Sequence, residues 1–144
     1  MSSVTNFLGG KQLTTATKRI INEGDQIKVA IAYWGKDALS LLGLNSRKKT
    51  VKVICCLRNG ASDPAIISRF GKRARQNDKL HAKVIWTPKG AIIGSANASS
   101  NGLPEEEELA NGLIEAGIYV NNSRTLASIE SWFDFQFKNA RPPR

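Results

Sequence analysis

The sequence predicts an α/β protein in which helices cover a mixed β-sheet. Segments rich in β-branched residues alternate with segments whose apolar residues recur at helical spacing. One strand segment, "KTVKVICCLR", is mostly apolar, as parallel strands buried on both faces are. Two later strand segments are separated only by "TPKG", a turn typical of a hairpin. The 144 residues contain no repeat or linker, so we predict one domain over residues 1–144.

The first half of the chain predicts three helices and two strands. Helical spacing of apolar residues indicates a helix over 10–24, which ends at a glycine, and a short helix over 36–45. The segments 25–35 and 49–58 are rich in β-branched residues and predict strands. The segment 63–71 opens with Asp-Pro, which is typical of a helix start, so we predict a third helix there.

The second half predicts three strands and a terminal helix. Strands are expected over 79–86 and 90–97, which form the hairpin, and over 108–117. The last segment, 122–139, carries apolar residues at helical spacing and predicts an amphipathic helix. Its aromatic residues are more typical of core or dimer contacts than of a base-stacking surface.

The charge balance indicates a polyanionic partner. The chain has 21 basic and 12 acidic residues, a formal net charge of +9, and the basic residues are clustered. Such clusters bind nucleic acid first and anionic lipid second, although a plain solvated surface is the alternative. We found no apolar run that could span a bilayer and no signal-peptide core, so we expect a cytoplasmic protein, or a nuclear one, that does not bind membranes.

Composition also limits the metal chemistry. The two cysteines, Cys55 and Cys56, are neighbours in a predicted strand and point to opposite faces, so they are expected to be buried and unpaired. A single histidine and no Cys-x-x-Cys pair cannot build a zinc cluster. Any metal would therefore have to be bound by carboxylates.

Four polar side chains are expected to meet on the predicted hairpin. Residues two apart in a strand share a face, which places His81 with Lys83 and Ser95 with Asn97. Gly94 allows a ligand or another backbone to approach closely. Lysine, asparagine and serine supply donors for a phosphate, and imidazole acts as nucleophile or general acid/base near neutral pH. The cluster therefore predicts a phosphate site with a histidine beside it.

The pattern His81-x-Lys83, followed by Gly94-Ser95-x-Asn97, resembles the H-x-K…G-S-x-N signature of the phospholipase D superfamily. The resemblance extends over most of the chain, and the size is similar to that of its nucleases with one motif per chain. These are small metal-independent bacterial endonucleases and the catalytic domains of certain restriction enzymes. The resemblance implies a phospholipase D-like fold and a phosphodiesterase that needs no metal and no cofactor.

The resemblance also implies roles for the motif residues. In this superfamily one histidine attacks phosphorus to form a phosphohistidine, and a second histidine protonates the leaving oxygen. His81 would then be the nucleophile in one copy and the acid in the other, while Lys83 and Asn97 bind the phosphate and Ser95 supports the site. Because the chain has one histidine, this chemistry requires a homodimer with a shared site.

The sequence departs from the superfamily pattern at one position and offers several candidate residues for another. Pro88 stands where the superfamily usually has an aspartate, five residues after the lysine. The acidic residue that orients the histidine has four candidates, Glu105 to Glu108, of which we favour Glu108 by its distance from Gly94. The alternative is that these glutamates form a solvated loop.

A basic cluster leads into the motif and favours nucleic acid as the substrate, with DNA favoured over RNA. Two other functions stay open: a catalytically degenerate dimer that only binds nucleic acid, and a hydrolase of lipids or small phosphodiesters. A helix end with favourable basic charge would also explain this cluster. The cluster consists of Arg69, Lys72, Arg73, Arg75 and Lys79.

Overall fold

A computed structural model describes residues 3–44, 50–99, 103 and 113–143. Seven strands form one sheet in the order β1-β7-β6-β5-β2-β3-β4. The strands are β1 Thr5–Gly9, β2 Gln26–Ile31, β3 Thr50–Cys55, β4 Ala74–Gln76, β5 Lys83–Thr87, β6 Gly90–Gly94 and β7 Ala116–Val120. The helices are α1 Lys11–Glu23, α2 Ala38–Leu42, α3 Pro64–Ser68 and α4 Ser123–Asn139. Two 3₁₀ turns cover Arg58–Gly60 and Gly71–Arg73.

The sheet is mixed, as the sequence predicted. Strands β2, β3 and β4 are parallel, whereas β5, β6, β7 and β1 are joined by antiparallel pairings. Lys83 at the start of β5 therefore lies opposite Ile31 at the end of β2, and Gly94 at the end of β6 lies opposite Gly117. The carboxyl ends of β2, β3, β4 and β6 thus share one end of the sheet with the start of β5. We refer to it as the site end.

Helices cover both faces of the sheet. On one face α1 packs across β1, β5, β6 and β7 and against α2. Buried residues of α1, α2 and α3, including Ile21, Leu42 and Ile67, share one core cluster with residues of β2 and β3. On the other face α4 packs its buried stripe across the sheet, with Phe133 fully buried near Trp86. The predicted architecture of a mixed sheet flanked by helices is confirmed. None of the helices described is both long and apolar enough to cross a membrane.

Two short strands were not predicted. β1 has five residues, ends in Gly9 and pairs only with β7, and β4 has three residues inside the basic segment and pairs with β3. Both are edge strands whose formation depends on a distant partner, so local composition gives little signal for them. The helix predicted over 63–71 ends at Ser68, because the chain turns there to enter β4.

The three strands predicted in the second half have different bounds. β5 begins at Lys83, so His81 precedes it, and β6 ends at Gly94. Beyond Ile31 the chain that follows β2 pairs with other segments: the Ala32 carbonyl accepts the Cys56 N–H at 2.8 Å, and the Tyr33 carbonyl accepts the Ala98 N–H at 3.1 Å. The strand predicted over 108–117 is found at Ala116–Val120; residues 113–115 are not strand, and 108–112 lie outside the described residues.

Candidate active site

His81 and Lys83 meet at the site end although His81 lies just outside the strand. Lys83 Nζ is 3.5 Å from His81 Nε2, and the histidine is exposed while the lysine is half-buried. A lysine ammonium only donates hydrogen bonds, so this contact uses Nε2 as an acceptor. The imidazole and the ammonium therefore lie together on the same exposed surface, where an anion could accept the ammonium protons in place of Nε2 and leave its lone pair available.

Asn97 is held in place by the backbone that follows β2. Its side-chain oxygen accepts the Tyr33 N–H at 3.4 Å, and the next residue, Ala98, donates its N–H to the Tyr33 carbonyl at 3.1 Å. An isolated bridge between Trp34 and Ala98 continues this pairing. Because the amide oxygen faces the protein backbone, the amide nitrogen is the group of Asn97 that is suited to donate to a phosphate oxygen.

Ser95 joins the end of β6 to the start of β7. Its hydroxyl donates toward Glu115 Oε1 at 3.0 Å and the Ala116 carbonyl at 3.2 Å, and accepts the Ala116 N–H at 3.1 Å. The serine hydroxyl thus forms hydrogen bonds with the backbone of Ala116, the first residue of β7. Ser95 is exposed, and these contacts fix the orientation of its hydroxyl at the end of β6.

Glu115 is a site residue that the sequence reasoning missed. The favoured candidate, Glu108, lies outside the described residues together with Glu105 to Glu107. The structure instead brings Glu115, directly before β7, to the Ser95 hydroxyl. The segment "AGIYV", with its isoleucine, tyrosine and valine, is the sequence signal that could have predicted this strand. Had it been taken as the strand, Glu115 would have been the acidic residue at its start, beside Ser95 at the end of β6.

Gly94 is required by another strand. A Cβ at Gly94 would lie 3.0 Å from the Ala116 carbonyl oxygen and 3.2 Å from Gly117 Cα. Gly117 is equally constrained, since its Cβ would lie 3.0 Å from the Ile93 carbonyl oxygen. The two glycines therefore let β6 and β7 approach closely beneath the site. Of the two predicted uses of Gly94, approach of a ligand or of another backbone, the structure shows the approach of a backbone.

Pro88 lies away from the site. It occupies the exposed turn between β5 and β6, at the opposite end of the strand from Lys83, roughly 16 Å away at the rise of an extended chain. Thr87 closes this turn, because its buried hydroxyl donates to the Gly90 carbonyl at 2.8 Å and accepts the Gly90 N–H at 3.1 Å. The departure from the superfamily pattern therefore affects the turn and leaves the histidine-lysine pair intact.

The predicted basic cluster is divided by β4. Lys79 follows β4 and lines a cleft with His81, whereas Arg69, Lys72 and Arg73 precede β4 and lie toward the opposite end of the sheet. Arg75 lies within β4 and places its guanidinium 4.6 Å from the centre of the Phe137 ring on α4. The structure thus brings one residue of the five to the histidine.

The cleft at the site end has a volume of about 540 Å³. It contains two further residues that the sequence reasoning missed, Tyr33 after β2 and Arg58 after β3. A larger groove of about 640 Å³ lies beside β4 and is lined by Lys72 and Arg75 but by none of the motif residues. The cleft is lined by Tyr33, Cys56, Arg58, Ala61, Asp78, Lys79, Leu80 and His81.

Solved structures provide the comparison that decides the fold. A phospholipase D family member, Nuc from Salmonella typhimurium, superposes with a TM-score of 0.78 at 14% identity, over 99% of both chains. The fold is phospholipase D-like. NucT from Helicobacter pylori also superposes with a TM-score of 0.78 at 14% identity, over 98% of this chain and 99% of its own. Phosphatidylserine synthase from Haemophilus influenzae Rd KW20 gives 0.75 at 15% identity, over 96% of this chain and 38% of its own.

No protein-family model and no curated protein sequence matches the chain. Within the part of the chain that the structure describes, no three His, Cys, Asp or Glu side chains are grouped closely enough to hold a metal ion. The site end of this sheet carries the His81 imidazole in contact with the Lys83 ammonium. The Ser95 hydroxyl and the Asn97 amide lie on the chain that follows β6.

Proposed function

We propose that this protein is a metal-independent phosphodiesterase that hydrolyses nucleic acid, with DNA as the first candidate. The observation that carries the proposal is the 3.5 Å contact between His81 Nε2 and Lys83 Nζ on an exposed surface. An imidazole lone pair next to donors for negative oxygens is the set of groups that phosphoryl transfer needs. The phospholipase D-like fold supports the assignment.

The proposed reaction has two steps. His81 Nε2 attacks phosphorus, so that a P–N bond forms and the P–O bond to the leaving sugar oxygen breaks. A second histidine gives its proton to that oxygen, while Lys83 and Asn97 hold the negative non-bridging oxygens. In the second step this histidine takes a proton from water, the water oxygen attacks phosphorus, and the P–N bond breaks to release the phosphate end and restore both histidines.

The second histidine is proposed to come from a second copy of this chain, since the sequence has only one. A row of exposed apolar side chains on three adjacent strands supports a homodimer. Phe7 pairs across to Ile118, which pairs across to Ile93, and their exposed fractions are 73%, 44% and 44%. Apolar side chains that adjoin in this way are typical of interfaces, and Ile93 directly precedes Gly94 at the site end.

The test of the enzymatic proposal is cleavage of plasmid and single-stranded DNA in excess EDTA. The wild type is expected to cleave both in the chelator, and His81→Ala is expected to have no activity while it still binds DNA. Cleavage that survives in His81→Ala would contradict the role of His81. If neither protein cleaves but both bind, the protein is a binding module without turnover.

The test of the dimer is the molar mass in solution, measured by sedimentation for the wild type and for Ile118→Asp. We expect a dimer for the wild type, and for Ile118→Asp a folded monomer that no longer cleaves. Ile118→Val is the matched control and should stay dimeric. A wild-type monomer that cleaves DNA would overturn the shared site.

One comparison favours a second candidate, a lipid or small-phosphodiester enzyme, because a phosphatidylserine synthase has a similar fold. The net charge of +9 and the exposed Arg58 and Lys79 beside His81 favour nucleic acid. Competition separates the two: DNA should inhibit turnover of a chromogenic phosphodiester more strongly than vesicles of anionic lipid do. The reverse order would favour the lipid.

A further inference from the structure

Tyr33 presents an exposed aromatic side chain from a fixed backbone. Its exposed fraction is 40%, although the adjacent Trp34 is fully buried and donates its indole N–H to the Ile31 carbonyl at 2.8 Å. The Tyr33 backbone is held on both sides, because its N–H donates to Asn97 and its carbonyl accepts from Ala98. An aromatic ring that is held in this position yet not packed into the core is available to a ligand.

The fold places Tyr33 across from His81. Ile31 and Lys83 form the last pair between the antiparallel strands β2 and β5; Tyr33 follows Ile31 by two residues, and His81 precedes Lys83 by two. Both side chains line the cleft of about 540 Å³. A group bound over the tyrosine ring therefore lies next to the group that the histidine contacts.

Two exposed cations complete the cleft. Arg58 comes from the turn after β3 and Lys79 from the loop after β4. Asp78, the one carboxylate among the described residues that line the cleft, is paired with Arg141 at 3.2 Å. An aromatic face flanked by cations is the arrangement that binds a nucleotide, because the base stacks on the ring and the phosphates contact the cations.

We propose that Tyr33, Arg58 and Lys79 form a subsite for the nucleotide beside the scissile phosphate, with its base stacked on Tyr33. A paired base inside a duplex has both of its faces covered by neighbouring bases, so the subsite selects a single strand. The position of the scissile phosphate rests on the proposed function, but binding at the subsite does not require turnover.

The experiment is equilibrium binding of a fluorescent single-stranded oligonucleotide and of its duplex, with His81→Ala as the parent protein. Tyr33→Ala is expected to weaken single-strand binding by roughly 5- to 150-fold, the value of one stacked base, and to leave duplex binding unchanged. Tyr33→Phe should match the parent and Tyr33→Leu should not, because leucine fills space without a π face. Arg58→Ala and Lys79→Ala should each lower the salt slope for the single strand by about 0.7, whereas Lys89→Ala, at the far hairpin turn, should not.

Equal losses for single strand and duplex in Tyr33→Ala would overturn the subsite, as would full affinity in Tyr33→Leu or a parent protein that does not bind single strands. The cleavage assay in EDTA is independent of this result. If the wild type fails to cleave but the Tyr33 pattern holds, the enzymatic proposal fails and the subsite stands. If the wild type cleaves and the Tyr33 variants bind like the parent, the subsite fails alone.

Discussion

Two lysines on neighbouring strands of the same sheet have opposite surroundings. Lys28 in β2 is only 5% exposed beneath α4, with its ammonium 2.7 Å from Glu130 Oε2, 2.7 Å from Asp134 Oδ1 and 5.1 Å from the centre of the Trp86 ring. Lys83 in β5 is half-buried at the site end and contacts the His81 ring. Within the described residues no carboxylate lies at ion-pair distance from Lys83.

The difference fits the proposed roles of a structural charge at Lys28 and a ligand-binding charge at Lys83. Burial lowers the pKa of Lys28, but hydrogen bonds and coulombic attraction to Asp134 and Glu130 outweigh it, so the pKa of Lys28 is raised. Its charge is therefore neutralised inside the protein and ties α4 to the sheet. The positive charge of Lys83 faces an exposed imidazole, so an anionic substrate is the counter-charge that its position fits.

The largest expected effect comes from removing the charge of Lys83. Lys83→Ala should lower kcat/KM for DNA cleavage by about 10²- to 10³-fold, because one donor to the developing oxyanion is lost. The loss should appear mainly in kcat, and the free energy of unfolding should change little. Steady-state cleavage and urea unfolding of the same preparation measure both quantities.

Lys28→Met reverses this comparison. It should change the urea midpoint and leave cleavage per folded molecule unchanged, because Lys28 touches none of the motif residues. The comparison breaks if Lys83→Ala loses stability as its main effect or if Lys28→Met loses kcat in fully folded protein.

Local patterns predicted the motif pair because the information is local. His81 and Lys83 meet through the alternation of an extended chain, which continues past the end of β5, so the strand boundary did not matter. Glu115 was missed because its approach to Ser95 depends on the pairing of β6 with β7, whose residues are about twenty positions apart in the sequence. Local composition does not fix the register of such a pair.

The cleft shows the same limit. Tyr33, Arg58 and Lys79 follow three different strands and converge only because β2, β3 and β4 are parallel neighbours whose ends coincide. The basic cluster was predicted as one patch because its residues adjoin in the sequence. Strand β4 is only three residues long, yet Lys79, which follows it, lies at the site end, and Arg69, which precedes it, lies toward the opposite end of the sheet.

A further prediction concerns the ion pairs of Lys28, the structural charge in this comparison. Replacing both partners of Lys28, in Glu130→Gln with Asp134→Asn, should lower the free energy of unfolding by roughly 2–3 kcal/mol. A buried ammonium would be left without a counter-charge, although the cost stays below that of a fully enclosed pair because Asp134 is largely exposed. Urea unfolding at neutral pH measures the change.

Adding Lys28→Met to that double variant should restore part of the lost stability, since no buried charge would then lack a partner. Cleavage activity serves as the control and should follow the folded fraction throughout. A triple variant no more stable than the double variant would mean that the carboxylates stabilise α4 without involving Lys28.

The smallest expected effect is a loss of stability at alkaline pH, which distinguishes Lys28 from the buried thiol of Cys55. Burial and the neighbouring Cys56 raise the pKa of Cys55 from 9.0 to about 12. The unfolded chain therefore releases this proton first, and stability falls as pH rises from about 9 to 12. The raised pKa of Lys28 has the same sign, and its contribution is present below pH 10.5 and lost above it.

Because the two windows start at different pH values, variants separate them. With a phosphine reductant present, Cys55→Ala should flatten the fall in unfolding free energy between pH 9 and 10.5, which for one proton is at most about 1.4 kcal/mol per pH unit. Lys28→Met should leave that window unchanged and flatten the fall above pH 10.5. A fall that begins below pH 9 in the wild type would show that other groups govern the alkaline limit. If the unfolding free energy of Lys28→Met depends on pH above 10.5 as that of the wild type does, the ion pairs of Lys28 do not contribute to this loss of stability.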